Sequence, residues 1–284
     1  MDRSIVVITG ASSGIGATFA RRLAPSCDLL LVARRRDRLE ALAMELSGNF
    51  PCRVEILPSD LTVEADLEKI ARRIEREPRL SLLINNAGFG SKGRFWEVPF
   101  KIHDDMTKLH VTATARLTHA ALRNMVERDL GGIVNVASVA AFLRSPGSAS
   151  YCATKTWMTA FTEAVYLELK SAKSNVVVQA LCPGFTYSEF HDTMGVEREK
   201  LAPRSFWLSA DEVVDASLDG LREGKLFVTP NWRYQLLLAI ATKLPAGVRV
   251  FLELIGGRNR QRLLANADTV KQIGNEPESG KHSR

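Results

Sequence analysis

The chain opens with Ile5-Val6-Val7-Ile8, an unbroken and largely β-branched apolar run, and continues through Thr9-Gly10-Ala11-Ser12-Ser13-Gly14-Ile15-Gly16. A strand without polar alternation must be buried on both faces, which confines it to a parallel sheet covered by helices on each side. A helical pattern follows the glycines through Phe19, Ala20 and Leu23 and stops at Pro25. The unit then recurs. Residues 28–33 read as a second strand and are followed by a helix through Leu39, Leu42 and Leu46. Residues 53–57 read as a third strand, with helical periodicity from Leu61 to Glu75; residues 80–84 make a fourth. A long amphipathic helix over about 102–127 leads to a fifth strand at 132–137, a helix at 151–170, a sixth strand at 175–181 and a last one at 225–229. Strands alternating with helices predict an α/β fold: one doubly wound, Rossmann-type parallel sheet of about seven strands with helices on both faces.

In such sheets ligands bind beyond the carboxyl ends of the strands, at the point where the strand order reverses. The glycine turn, Asp60, Asn85-Asn86-Ala87-Gly88, Ser138 and Pro183-Gly184 all fall at strand ends here, so they converge on one crevice. Between a strand and a helix, glycines let the backbone approach a pyrophosphate, and the helix offers free N–H groups at its positive end. The spacing G-x-x-x-G-x-G departs from the commoner dinucleotide pattern G-x-G-x-x-G, and an ordinary glycine-rich turn is the alternative for the motif in isolation.

Tyr151 and Lys155 lie four residues apart, which on a helix places both on one face. An unperturbed tyrosine, with a pKa of about 10, holds its proton too tightly to shuttle it near neutrality, and a neighbouring ammonium favours the phenolate. Lys155 is therefore expected to lower the pKa of Tyr151. Ser138, at the end of the preceding strand, can donate a hydrogen bond to a substrate oxygen. Taken alone, Tyr-x-x-x-Lys is also a common surface pair.

Six motifs stand in order: Thr9-Gly10-x-x-x-Gly14-x-Gly16, Asp60-Leu61, Asn85-Asn86-Ala87-Gly88, Ser138, Tyr151-x-x-x-Lys155 and Pro183-Gly184. In this the chain resembles the short-chain dehydrogenase/reductase family. The resemblance implies NAD(P)-dependent hydride transfer at a carbonyl or alcohol, with Tyr151 as general acid/base, Ser138 as carbonyl anchor and Lys155 also on the nicotinamide ribose. It further implies cofactor contacts from Gly10, Ser12, Ser13, Gly14, Ile15, Gly16, Asp60, Leu61, Asn86, Ala87, Gly88, Pro183, Gly184 and Thr186, with Asp60 at the adenine. Many members carry an Asn that helps hold a water in a proton relay through Lys; His110 occupies that place. Histidine can also bond a water, and the alternative is a helix residue packed against the sheet.

After the second strand the run is Ala33-Arg34-Arg35-Arg36, with no acid before Asp37. A carboxylate there would hold ribose hydroxyls and repel a phosphate, whereas Arg34 can bind a phosphate bidentately. NADP(H) is thus expected over NAD(H), with Arg34 as the main discriminator and Ser13 or Arg35 assisting.

A net charge of +6 fits anionic ligands, yet no nucleic-acid motif accompanies it. Cys27, Cys52, Cys152 and Cys182 lack C-x-x-C spacing, which disfavours a metal site or a disulfide framework. The chain start shows no signal-peptide pattern, and a cytoplasmic protein acting on a small molecule is expected. Residues 1–230 read as a single catalytic domain with a lid over 185–207, whose Phe185, Tyr187 and Phe190 are candidate substrate contacts for an apolar ligand. Residues 231–266 read as a C-terminal helical extension and 267–284 as a disordered tail. Two apolar segments, 234–242 and 248–255, are shorter than the roughly 20 residues that span a bilayer. Three uses fit them, in this order: a subunit interface in a homodimer or homotetramer, a pocket cover, or a peripheral membrane contact through 234–262. A non-catalytic NADP(H) sensor on the same fold is the alternative function.

Overall fold

The computed structural model describes residues 3–189 and 202–255. Seven parallel strands lie in the order β3-β2-β1-β4-β5-β6-β7. They are β1 (Ile5–Thr9), β2 (Asp28–Ala33), β3 (Val54–Pro58), β4 (Leu80–Asn85), β5 (Gly132–Val136), β6 (Val177–Leu181) and β7 (Phe227–Val228). The order reverses at β1, which pairs with both β2 and β4.

Alternate side chains of each strand enter separate cores. Val6, Ile8, Leu29 and Leu31 pack with α1 (Gly14–Leu23), α2 (Arg36–Asn49) and α7 (Ala210–Arg222), through Phe19, Leu39, Leu42, Val213 and Val214. Ile5, Val7, Leu30 and Leu83 face the other way, onto α3 (Glu64–Glu75), α5 (Thr114–Arg128) and α6 (Ala149–Ser171). This two-sided burial is what the unbroken apolar runs demand, and each fully buried Leu, Ile or Val side chain contributes about 1.5–3 kcal/mol.

The long helix expected over 102–127 is three pieces: α4 (Phe100–Thr107), a π-helical turn (Lys108–Ala113) and α5. The sheet edge is also shorter than expected, since β7 pairs through Phe227 and Val228 alone. Beyond it α8 (Trp232–Ala241) starts at Asn231, whose side chain accepts from the Arg233 N–H, and residues 246–255 are helical. The Phe190 contact, the end of the helical extension and the tail expected at 267–284 lie outside the described residues.

The ends of β1 and β4 are joined by one hydroxyl. Thr9 Oγ1 donates to Ile84 O at 3.3 Å and accepts from the Asn86 and Ala87 N–H groups at 2.9 and 3.0 Å. Thr9→Val keeps the shape and leaves three polar groups without this partner. At about 1–3 kcal/mol for an unsatisfied buried group, we expect a loss of at least about 2 kcal/mol in chemical denaturation; a loss below about 0.5 kcal/mol contradicts this role.

Candidate active site

Glycine is required at the turn after β1. Gly10 and Gly14 have φ of +66° and +54°, a region costly for residues with a Cβ. A Cβ on Gly10 would stand 2.8 Å from Ala87 Cα, and one on Gly16 would stand 2.4 Å from Gly10 O and 2.5 Å from Asn86 Nδ2. Asn86 fills that space by donating to Thr9 O at 2.9 Å and Gly10 O at 3.2 Å. Ser13, the residue before α1, is extended and makes no side-chain cap bond, so the first turn of α1 presents its N–H groups and positive end to the crevice. This cradle fits the pyrophosphate of a dinucleotide. Ser12, Ser13 and Ile15 lie along it, and Leu61 is buried beside Asp60 at the end of β3.

The basic run after β2 divides its work differently from the sequence expectation. The Arg34 side chain is 74% exposed and stands 4.0 Å from Asp60. Arg35 instead reaches the glycine turn: Nη2 donates to both Ser12 Oγ and Ser13 Oγ at 3.0 Å. Asp60 Oδ1 accepts from the Thr62 N–H and hydroxyl; burial resists its ionisation, but these bonds and the Arg34 charge outweigh that and hold its pKa below the ordinary value.

Ser138 leaves β5 at the N-terminus of a short 3₁₀ turn, with its Oγ accepting from the Ala140 N–H at 3.1 Å. It also donates to Pro183 O at 3.5 Å, and it stands close enough to the Tyr151 phenol to favour its ionisation. Tyr151 lies in the first turn of α6, and Lys155 Nζ lies 5.8 Å from the centre of its ring. Nζ is buried and donates to Val136 O at 2.7 Å. The three side chains expected together do meet, at the ends of β5 and β6. Their electrostatics correct the expectation. Burial pushes Tyr151 up to about 12 against the opposing influence of the Ser138 hydroxyl, and burial pushes Lys155 down to about 7. With Lys155 turned to Val136 O, desolvation outweighs its effect on the phenol.

His110 sits in the π turn, fully buried. Its Nε2 accepts from the Phe89 N–H at 3.2 Å, which assigns the proton to Nδ1 facing Thr154 Oγ1 at 2.9 Å. The Thr154 hydroxyl in turn donates to Tyr151 O. Burial first, then the Lys155 charge, holds His110 well below its usual value and so neutral. Both ring nitrogens are engaged by protein groups, and the histidine ties the chain after β4 to the first turn of α6. A Cβ on Gly88 would stand 2.8 Å from His110 Nε2, so the histidine leaves no room for a side chain there.

Tyr234 on α8 had no sequence signal marking it, and it organises the far side of the crevice. Its hydroxyl accepts from the Phe185 N–H at 3.0 Å and donates to Phe206 O at 2.8 Å, joining the two described ends of the expected lid. Its ring lies where a Cβ on Gly184 would stand, 2.0 Å from Cζ. Thr186 is buried and donates to Gly184 O, while Phe185 and Tyr187 both pack on Trp207 with their rings tilted by 32°, at centroid distances of 5.3 and 5.0 Å. Pro183 O accepts from the Val139 N–H, which ties this turn to the Ser138 loop.

Residues 4–198 match the family described as short chain dehydrogenase. The chain belongs to that family. Nodulation protein G of Rhizobium meliloti is 32% identical over 198 residues, covering 69% of this chain and 78% of the relative. A short-chain dehydrogenase from Sphingobium yanoikuyae, solved in complex with NADPH, is 32% identical and superposes with a TM-score of 0.76 over 99% of each chain. The bulky-bulky ketone specific alcohol dehydrogenase from Comamonas testosteroni is 27% identical, with a TM-score of 0.72 over 99% of this chain and 98% of that one. This short-chain dehydrogenase is an oxidoreductase that uses a nicotinamide cofactor on a CH–OH or C=O group of a small molecule. Among the described residues, no helix is long and apolar enough to cross a membrane, and no cluster of side chains could hold a metal ion.

The raised Tyr151 value has a direct optical signature. In the cofactor-free enzyme, near-ultraviolet phenolate titrations of wild type and Tyr151→Phe superimpose up to pH 10, the ordinary tyrosine value, because Tyr151 stays protonated until about 12. A wild-type excess of one phenolate near neutral pH refutes the assignment.

Proposed function

We propose that this short-chain dehydrogenase reduces the carbonyl of a hydrophobic small molecule with NADPH, using Tyr151 as the proton donor. The observation that carries the reading is the meeting of Ser138, Tyr151 and Lys155 at the ends of β5 and β6, with the buried Lys155 Nζ 5.8 Å from the centre of the Tyr151 ring. The bound cofactor supplies hydride to the carbonyl carbon. Ser138 and Tyr151 then hold the carbonyl oxygen, and the Tyr151 O–H passes its proton to that oxygen as the C–O bond becomes an alkoxide. A phenol whose pKa is about 12 is protonated at neutral pH, which is the form reduction needs. Lys155 commits one N–H to Val136 O and keeps others to direct at the nicotinamide ribose. His110 acts as a positioning residue for Gly88-Phe89 and for the first turn of α6.

NADPH preference is supported by Arg35 bridging the Ser12 and Ser13 hydroxyls and by Arg34 after β2, two guanidiniums that can each bind a phosphate. We assign the larger share to Arg35. The Phe185–Tyr187–Trp207 cluster supports a bulky apolar substrate. The exposed apolar side chains of α8 and residues 246–255, among them Trp232, Leu236, Ile240, Phe251 and Leu254, are assigned to contact between subunits of a homodimer or homotetramer.

NADPH consumption against a panel of aromatic, steroidal and long-chain ketones tests the activity. Tyr151→Phe is expected to lower turnover at least about 100-fold with NADPH binding retained; a variant as active as wild type removes Tyr151 from the chemistry. Arg35→Ala is expected to raise the Kd for NADPH about 10-fold or more, since a hydrogen bond to a charged group contributes about 1.5–3 kcal/mol, and to leave NADH binding nearly unchanged. Equal losses for both cofactors refute the assignment.

A further inference from the structure

The arginines that follow β2 already hold an anion of the chain's own. Glu189, at the start of the segment beyond Thr186, places Oε2 at 2.9 Å from Arg35 Nη1 and Oε1 at 3.0 Å from Arg38 Nη1. The Ser13 hydroxyl, which accepts from the same Arg35 at 3.0 Å, stands close enough to favour the ionised carboxylate. Ser188 beside it lies against that turn, 3.0 Å from where a Cβ on Gly14 would stand. A carboxylate held by two guanidiniums beside a serine hydroxyl marks a place whose donors suit a phosphate monoester. Of these partners, Arg35 is the residue given the larger share of the NADPH preference, and Arg38 follows it in the first turn of α2.

We propose that Glu189 occupies the site of the NADP(H) 2′-phosphate in the cofactor-free enzyme and is a specificity-determining residue, because the phosphate must displace it whereas NAD(H) need not. This rests on the NADPH reading above. The Arg35 hydrogen bond holds the Glu189 carboxyl below its ordinary value, so it is ionised at neutral pH and competes as an anion. The side chains of Arg35, Arg38 and Glu189 are 44, 51 and 37% exposed, a degree at which ion pairs are weak enough for an arriving phosphate to replace. An intramolecular competitor lowers apparent affinity by the fraction of molecules in which the site is free, so Glu189 reduces the NADPH/NADH discrimination that Arg35 would otherwise impose.

Calorimetric titration of the full chain with NADPH, NADH and adenosine 2′-monophosphate provides the test without relying on turnover. Wild type is compared with Glu189→Gln, Glu189→Asp and Arg35→Ala. The proposal predicts that both Glu189 variants bind NADPH and adenosine 2′-monophosphate about 3- to 10-fold more tightly, with NADH within about twofold of wild type. The aspartate variant separates occupancy from charge, since it keeps the negative charge but is too short to span both arginines. Tightening in Glu189→Gln alone means a through-space charge effect and overturns the displacement proposal, as does unchanged or weaker binding in both. If wild type still prefers NADPH and Arg35→Ala loses that preference, the cofactor assignment survives such a failure; if wild type prefers NADH, both fall.

Discussion

The crevice depends on the hydroxyl of Thr9. At the place where the strand order reverses, β1 and β4 must separate enough to admit a ligand and yet remain in register below it. Thr9 meets both demands by satisfying the Asn86 and Ala87 N–H groups from the end of β1, while Asn86 returns two bonds to Thr9 O and Gly10 O. Gly16 cannot carry a side chain because that exchange fills its space. The glycine spacing is therefore a packing consequence of Asn86 as much as an accommodation of a ligand backbone. From this fixed point the pyrophosphate cradle, the Asn86-Ala87-Gly88 chain and the π turn are each placed by one further contact.

The reacting end is governed by desolvation. Burying a lysine and a tyrosine side by side penalises both charged forms, so the phenol is held protonated and the ammonium near its titration point. Sequence spacing alone suggests the opposite for Tyr151, because spacing reports proximity and says nothing of where the ammonium points. Lys155 points at a strand carbonyl, and in the cofactor-free site the Tyr151 phenol keeps its proton. His110 adds a neutral brace to this arrangement, with both nitrogens spent on Phe89 and Thr154.

The sheet was legible because strands buried on both faces leave an unmistakable trace: Ile5–Thr9 and Leu80–Asn85 contain no exposed position. The meeting of Ser138, Tyr151 and Lys155 was legible because helical spacing and strand ends fix which residues can meet. Other features left no local trace. The π turn at His110 arises inside a sequence whose periodicity reads as one helix. Tyr234 sits in an apolar run, and its function comes from a hydroxyl that meets Phe185 and Phe206 only after α8 folds back. Arg34 and Arg35 are adjacent and chemically identical, so only the direction in which β2 ends reveals that Arg35 faces the glycine turn.

Transfer of isotope from NADPH labelled with deuterium at the reactive nicotinamide carbon tests the central claim most directly, because it follows the reacting atom itself. With a bulky ketone as acceptor, the account predicts that deuterium appears on the carbinol carbon of the product and that Tyr151→Phe suppresses this transfer. NADPH bound at saturation with no label reaching any carbonyl in the panel, or label transferred equally well by Tyr151→Phe, would contradict it.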